Sequence, residues 1–262
     1  MPFTPSHAVV ALPFLPLRRV PALAGVPAAV AVGAMTPDLP LFVRGTPVAY
    51  AWTHSFSWLP LTAVLALVLL LVWRCALRPA SRELAPRWLA RRLPSRWDAG
   101  ASTGLRETFP SAAGALWTLL ALAVGAVSHI AWDLVTHEGR AGIAALDEAW
   151  GPLPAHTWLQ HGSSAVGLVT LAVCAIVWLR RADAAEQVRR VLPDGARWGW
   201  WLSLPLALVV AWCAGYAVLG PFAPGFDAEH LAYRVLPPAC GVWGAATLAL
   251  CATVQAVRLR GR

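Results

Sequence analysis

The stretch that decides the fold runs from Ser111 to His137, SAAGALWTLLALAVGAVSHIAWDLVTH. It carries no charge before its last turns and exceeds the roughly 20 helical residues needed to cross a hydrocarbon core. It ends on His129, Asp133 and His137, spaced four apart, so on a helix they share one stripe. The rest of the chain has the same character. Of 262 residues, 58% are hydrophobic and 13% charged, against roughly 25% charged in a soluble domain. The mean hydropathy is +0.59. These figures exclude a soluble globule and a disordered chain, and they predict a polytopic membrane protein.

Four more stretches are long enough to span: Phe56–Ala76, Ser163–Leu179, Trp198–Leu219 and Ala239–Val257. Two shorter ones come first. Ala8–Leu17 is interrupted by Pro13 and Pro16, and Pro21–Met35 falls short of a full crossing at about 1.5 Å per residue. The expectation is an all-α bundle of five long transmembrane helices plus a short N-terminal helical hairpin, seven segments if both its arms cross. Residues 1–262 read as one integral membrane domain, with candidate ligands in about 1–165 and two further spans in about 198–257. The opening MPFTPSHAVV lacks a basic n-region and is read as part of the mature chain.

All 21 basic residues are arginines, and they set the expected orientation. Seven lie between Arg78 and Arg106; others are Arg180, Arg181, Arg189, Arg190 and Arg197, then Arg258, Arg260 and Arg262. These three regions alternate correctly with the five spans, and the positive-inside rule makes them cytoplasmic. The calculated pI near 10.2 follows from this bias and needs no nucleic-acid partner. Tryptophans near span ends, such as Trp73, Trp117 and Trp178, read as an aromatic belt. The five cysteines show no CxxC spacing and read as small apolar residues.

The arginine-derived topology puts His54, His129, His137, His156 and His161 at the outer face, together with Asp133. If the N-terminal hairpin enters from that side, His7 and Asp38 join them. Ionisable residues at a span are functional candidates by default, and imidazoles flanking a carboxylate on one helix face suit a divalent metal. Histidines that merely cap helices near the headgroups are the competing account, but they have no reason to share one side. His230 sits apart on an acidic loop and reads as a surface residue.

The order His7, Asp38, His54, His129-x3-Asp133, His137 and His156-x3-Gln160 resembles that of the zinc phospholipase C and P1-type nuclease superfamily, in which three zinc ions are held in a helical fold. The resemblance implies zinc, two or three ions, with His54, His129, Asp133 and His137 around a metal pair that Asp133 bridges. His7, His156 and Gln160 would complete a third position, together with an N-terminal amine on Pro2 after removal of Met1. Asp38 would act as a ligand and as the catalytic group that orients or deprotonates the attacking water. Gln160 departs from the pattern, which has a carboxylate there, and a divalent metal other than zinc is an open alternative. The MPFTPSH opening and SHIAWD also resemble an uncharacterised bacterial membrane-protein family of MPFTxSH type, related to membrane-bound metal-dependent hydrolases.

These readings lead to an expected function. It is hydrolysis of a phosphoester, on a lipid or lipid-linked substrate, at the outer face of a bacterial inner membrane with a cytoplasmic C-terminus. Nucleic acid is not an expected partner, because the outward loops lack a basic stripe. No P-loop and no GxSxG elbow is present. The alternatives are a non-enzymatic metal-binding protein, as sensor or scaffold, and a small transporter. The last two spans offer little for a transport path beyond Ser203, Cys213 and Tyr216.

Overall fold

A computed structural model describes residues 3–185, 187–188 and 190–260. The proposed Pro2 amine and the arginines at 189 and 262 lie outside the described residues. The chain is almost entirely helical. A 3-10 helix, Thr4–Arg19, leads into α1 (Val26–Met35), α2 (Leu59–Val72), α3 (Arg78–Leu84), α4 (Ala112–Thr136), α5 (Ala155–Arg181), α6 (Asp194–Leu219) and α7 (Ala228–Arg260). A two-stranded turn pairs Ala149–Trp150 with Leu153–Pro154.

Among the described residues, six segments are long and apolar enough to cross a membrane: Pro21–Phe42, Phe56–Leu84, Ala112–Thr136, Ala155–Arg181, Asp194–Leu219 and Ala228–Arg260. The sixth is Pro21–Phe42, which the sequence reading stopped at Met35. The turn Thr36–Asp38 carries α1 on into Leu39–Phe42, with Pro37 and Pro40 in first-turn positions where a missing N–H does no harm. Two other spans begin earlier than expected. Helix α5 starts at Ala155 because its polar first turns remain helical, and α7 runs through Pro237 and Pro238. Membrane helices tolerate such prolines because other groups re-satisfy the freed carbonyls. The Thr4–Arg19 segment is shorter in residues but not in reach. At a 3-10 rise of about 2.0 Å its 16 residues extend about 32 Å, close to the hydrocarbon thickness. His7 lies near one end, and Arg18 and Arg19 form the other.

The chain forms two compact units. The first, residues 1–39, 48–73 and 103–182, has a small-residue core of Ala11, Val26, Ala29, Val30, Ala66, Leu70, Ala121 and Leu122. Lipid offers no hydrophobic drive between helices, so association depends on close packing. Helices α1 and α4 meet at Gly33 and Gly125. A Cβ at Gly33 would lie 2.1 Å from the Leu122 carbonyl oxygen, and one at Gly125 would lie 2.2 Å from that of Val30. Only glycine allows these backbones to approach so closely, and the approach fixes the position of whatever lies one turn further along α4.

The second unit, residues 40–47, 74–102 and 183–262, is organised around Glu83, which is fully buried at the end of α3. Its carboxylate accepts hydrogen bonds from the Val191 and Leu192 amides (both 3.0 Å), from Arg197 Nη1 (3.0 Å) and from Arg258 Nη2 (3.2 Å). Arginines that the sequence shows only as a cytoplasmic excess thus also have a structural use. Outward-facing Leu202, Leu206, Val209 and Val210 on α6, and Val166 and Val169 on α5, are more than half exposed. Such apolar surfaces suit a lipid solvent, and the chain is a membrane protein.

Candidate metal centre

The candidate residues sit at one end of the first unit's helices. Asp38 ends the α1 extension, His54 precedes α2, His129 and Asp133 occupy the last two turns of α4, and His137 directly follows it. The Gly33–Gly125 crossing sits one turn before His129. It brings the Ala34 carbonyl within 2.7 Å of His129 Nδ1. A carbonyl can only accept, so Nδ1 carries the proton and Nε2 keeps its lone pair.

The same device recurs. His54 Nδ1 donates to the Tyr50 carbonyl (3.1 Å), His137 Nδ1 to that of Asp133 (3.0 Å), and His156 Nδ1 to that of Leu146 (3.1 Å). Each bond fixes the tautomer and ring orientation, as the outer-shell partners of metal-ligating histidines do. Two of the freed nitrogens then face each other, His129 Nε2 and His54 Nε2, at 3.3 Å. Two imidazole lone pairs at that separation repel unless a proton or a metal ion lies between them.

The carboxylates close around the same point. His54 Nε2 is 3.5 Å from Asp133 Oδ2 and 3.6 Å from Asp38 Oδ1; for His129 Nε2 the distances are 3.6 and 3.7 Å. Zinc bonds of about 2.0–2.1 Å at tetrahedral angles separate neighbouring ligand atoms by about 3.3–3.4 Å, close to the spacing among His54 Nε2, His129 Nε2 and Asp133 Oδ2. His54, His129 and Asp133 form one group able to hold a metal; His7, Asp38 and His129 form another. Asp38 Oδ1, both Asp133 carboxylate oxygens, His7 Nε2 and His137 Nε2 are buried without a hydrogen-bond partner. Buried polar groups are normally satisfied, and five such atoms gathered here make this a candidate ligand site. Asp38 Oδ2 is held by the Thr4 hydroxyl at 2.6 Å, and His7 stacks on His129 with ring centres 3.9 Å apart.

The remaining candidates lie further out. His137 points a buried nitrogen inward, but belongs to neither group. Burial, aided by the nearby Arg140 charge, holds it below the ordinary histidine range, so it is a neutral imidazole at neutral pH. His156 pairs with Asp147 at 3.3 Å and belongs to neither group. His230 pairs with Asp227 on the exposed surface of the second unit.

Two residues join the site that the sequence reading did not select. Tyr50 stacks on the His54 ring at 3.7 Å, and Arg140 Nη1 lies 3.6 Å from Asp133 Oδ2. Burial and then the Asp133 and Asp38 charges push the Tyr50 phenol well above its usual range, so it stays neutral. Its signal was present, because Tyr50 and His54 repeat the four-residue spacing of His129 and Asp133. A cleft of about 250 Å³ opens beside the centre, lined by Tyr50, Ala51, His54, Ile130, Asp133, Leu134 and Arg140.

Comparison with protein families finds one model over residues 1–254, described as a domain of unknown function, DUF4184. The chain belongs to the DUF4184 family. No curated protein and no solved structure matches it. The DUF4184 match runs through both units, so the centre and the Glu83 node are parts of one family domain.

Proposed function

We propose that this DUF4184 chain is a membrane-embedded zinc-dependent hydrolase. Its substrate is a phosphoester on a lipid or lipid-linked molecule, met at the outer face of a bacterial inner membrane. The observation that carries this reading is the facing pair of imidazole lone pairs, ringed by two carboxylates and open on one side to a cleft. Structural zinc sites are closed, whereas catalytic ones keep an open position. His54 and Asp133 line the cleft as well as the candidate metal position, which favours an enzyme over a staple.

His54, His129 and Asp133 would hold the ion and leave a fourth position for water, with Asp38, His7 and His137 adjacent. Zinc supplies Lewis acidity and lowers the pKa of water to about 7 in favourable sites. Within the chain, Asp38 Oδ1 is the group available to accept a proton from the attacking water, while the Thr4 hydroxyl fixes the other oxygen. His129 limits the stoichiometry. With Nδ1 committed to Ala34, it serves one ion only, so we propose a single ion through His129. A second ion would have to be built on His7 without His129, and this makes the count lower than the two or three of the phospholipase C pattern.

The decisive experiment combines metal analysis with turnover. Detergent-purified protein should contain zinc and release phosphate or a phosphorylated headgroup from a panel of phospholipids and lipid-linked phosphates, and chelation should abolish this. Zinc-replete protein inactive across the panel would leave a non-enzymatic metal-binding role. The outer-face assignment rests on the arginines. Arg18 and Arg19 fall at the opposite end of the N-terminal segment from His7, in line with the other arginine-rich regions. Cysteine labelling from outside should modify positions in the loop 138–148 and spare 91–100; modification of both from one side would refute the shared face.

A further inference from the structure

The cleft beside the centre has a wall that the metal chemistry does not use. Arg140 lies just past the end of α4, its side chain about a third exposed, with the guanidinium 5.8 Å from the centre of the Tyr50 ring. Its ion pair to Asp133 is long, at 3.6 Å, and shares that oxygen with the His54 and His129 nitrogens at 3.5 and 3.6 Å. A bound divalent ion changes the balance. Two nearby carboxylates, Asp38 and Asp133, offset the charge of a doubly charged ion and leave the centre without net charge. Among the residues lining the cleft, Arg140 is then the one cation.

Besides the candidate ligands His54 and Asp133, the lining residues are Ala51, Ile130, Leu134 and the Tyr50 ring. Exposed Trp52, Trp58 and Trp132 flank these positions in the sequence, and Trp52 stacks on Trp58 at 5.3 Å. Such aromatics lie at headgroup depth in membrane proteins.

We propose that this cleft is an anion pocket in which Arg140 recognises the phosphoryl group of the substrate, with Tyr50 holding the guanidinium plane in place. The proposal rests on the zinc-hydrolase reading and adds to it the residue that confers preference for an anionic ester. A guanidinium presents a fork of donors that matches two phosphoryl oxygens at once, which an ammonium does not. A neutral ester would gain nothing from it. A phosphate monoester, carrying more charge than a diester, would gain most.

The test uses full-length protein in detergent, zinc-loaded and zinc-stripped, titrated with inorganic phosphate by calorimetry. Zinc-loaded wild type should bind phosphate. Arg140→Gln should keep its zinc and bind phosphate at least tenfold more weakly, with Arg140→Lys between the two. Equal phosphate affinity in wild type and Arg140→Gln at equal zinc content would overturn the proposal, as would a wild type that binds phosphate in neither state. A wild type that takes up no zinc would instead sink the metal reading. Arg140 would then stand or fall by the same comparison in zinc-free protein.

Competition separates the sources of the phosphoryl group. Displacement of phosphate by phosphatidic acid micelles, with no effect of phosphatidylcholine, assigns the pocket to a lipid monoester. Displacement by glycerol phosphate alone assigns it to a soluble ester. Either result supports recognition by Arg140.

Discussion

Combined His129→Ala and Asp133→Ala substitution should reduce the zinc of purified protein to background, whereas combined His156→Ala and Gln160→Ala should leave it near the wild-type value. The first pair removes one of the two facing nitrogens and the nearest carboxylate, so two of the donors spaced 3.3–3.7 Å apart disappear together. Second-shell changes alone typically weaken metal binding by about 10–100-fold, and the loss of two direct donors exceeds that. In the second pair, His156 lies outside both groups able to hold an ion and is engaged with Asp147. Elemental mass spectrometry on monodisperse protein reads both. Wild-type zinc in the first variant would refute the centre. Loss of zinc in the second would restore the third metal position implied by the phospholipase C pattern.

The other large effect is on stability. Glu83→Ala should destabilise the second unit by about 3–5 kcal/mol, the usual result of removing one partner from a buried ion pair. Arg197 would be left with Asp194 and Arg258 with Asp98 as counter-charge, and two backbone amides would lose their acceptor. Glu83→Gln should recover part of this, because its amide oxygen still accepts from one donor while the charge is gone. Thermal unfolding in detergent gives the order wild type, Gln, Ala. An unchanged midpoint for Glu83→Ala would show that the arginines find other partners. Neither variant touches the metal centre, so zinc content in the folded fraction should stay constant.

Much of this architecture was legible in the chain. The spans announce themselves by length and apolarity, and ionisable residues stand out against such a background. A spacing of four put His129 and Asp133 on one stripe of α4, whereas His137 falls just past the helix end in extended backbone. Helix ends were less legible. Hydropathy fades where a helix continues through polar residues, which is why α5 was expected from Ser163 and begins at Ala155. A Pro-Pro pair reads as a stop but does not break α7.

The anchoring of the imidazoles was not legible at all. The partner of His129 is a backbone carbonyl on another helix, 95 residues away. A carbonyl belongs to every residue, so no residue type at position 34 gives this one away. Arg140 was hidden for a different reason. As a lone arginine in an outward loop it counted only toward topology, and its place beside Asp133 depends on how the chain turns after α4.

The glycine crossing has a consequence for how genetic data on this family will look. Gly33 and Gly125 bear no side chain and could touch no substrate, yet a methyl group at either would meet a backbone carbonyl oxygen at close to 2 Å. A saturation screen that scores activity alone will rank these two positions with the ligands, and it will rank many bulky lipid-facing positions as silent. Tolerance to substitution will map how near two backbones lie, and a cluster drawn from intolerant positions will be larger than the group of atoms that meets the ion.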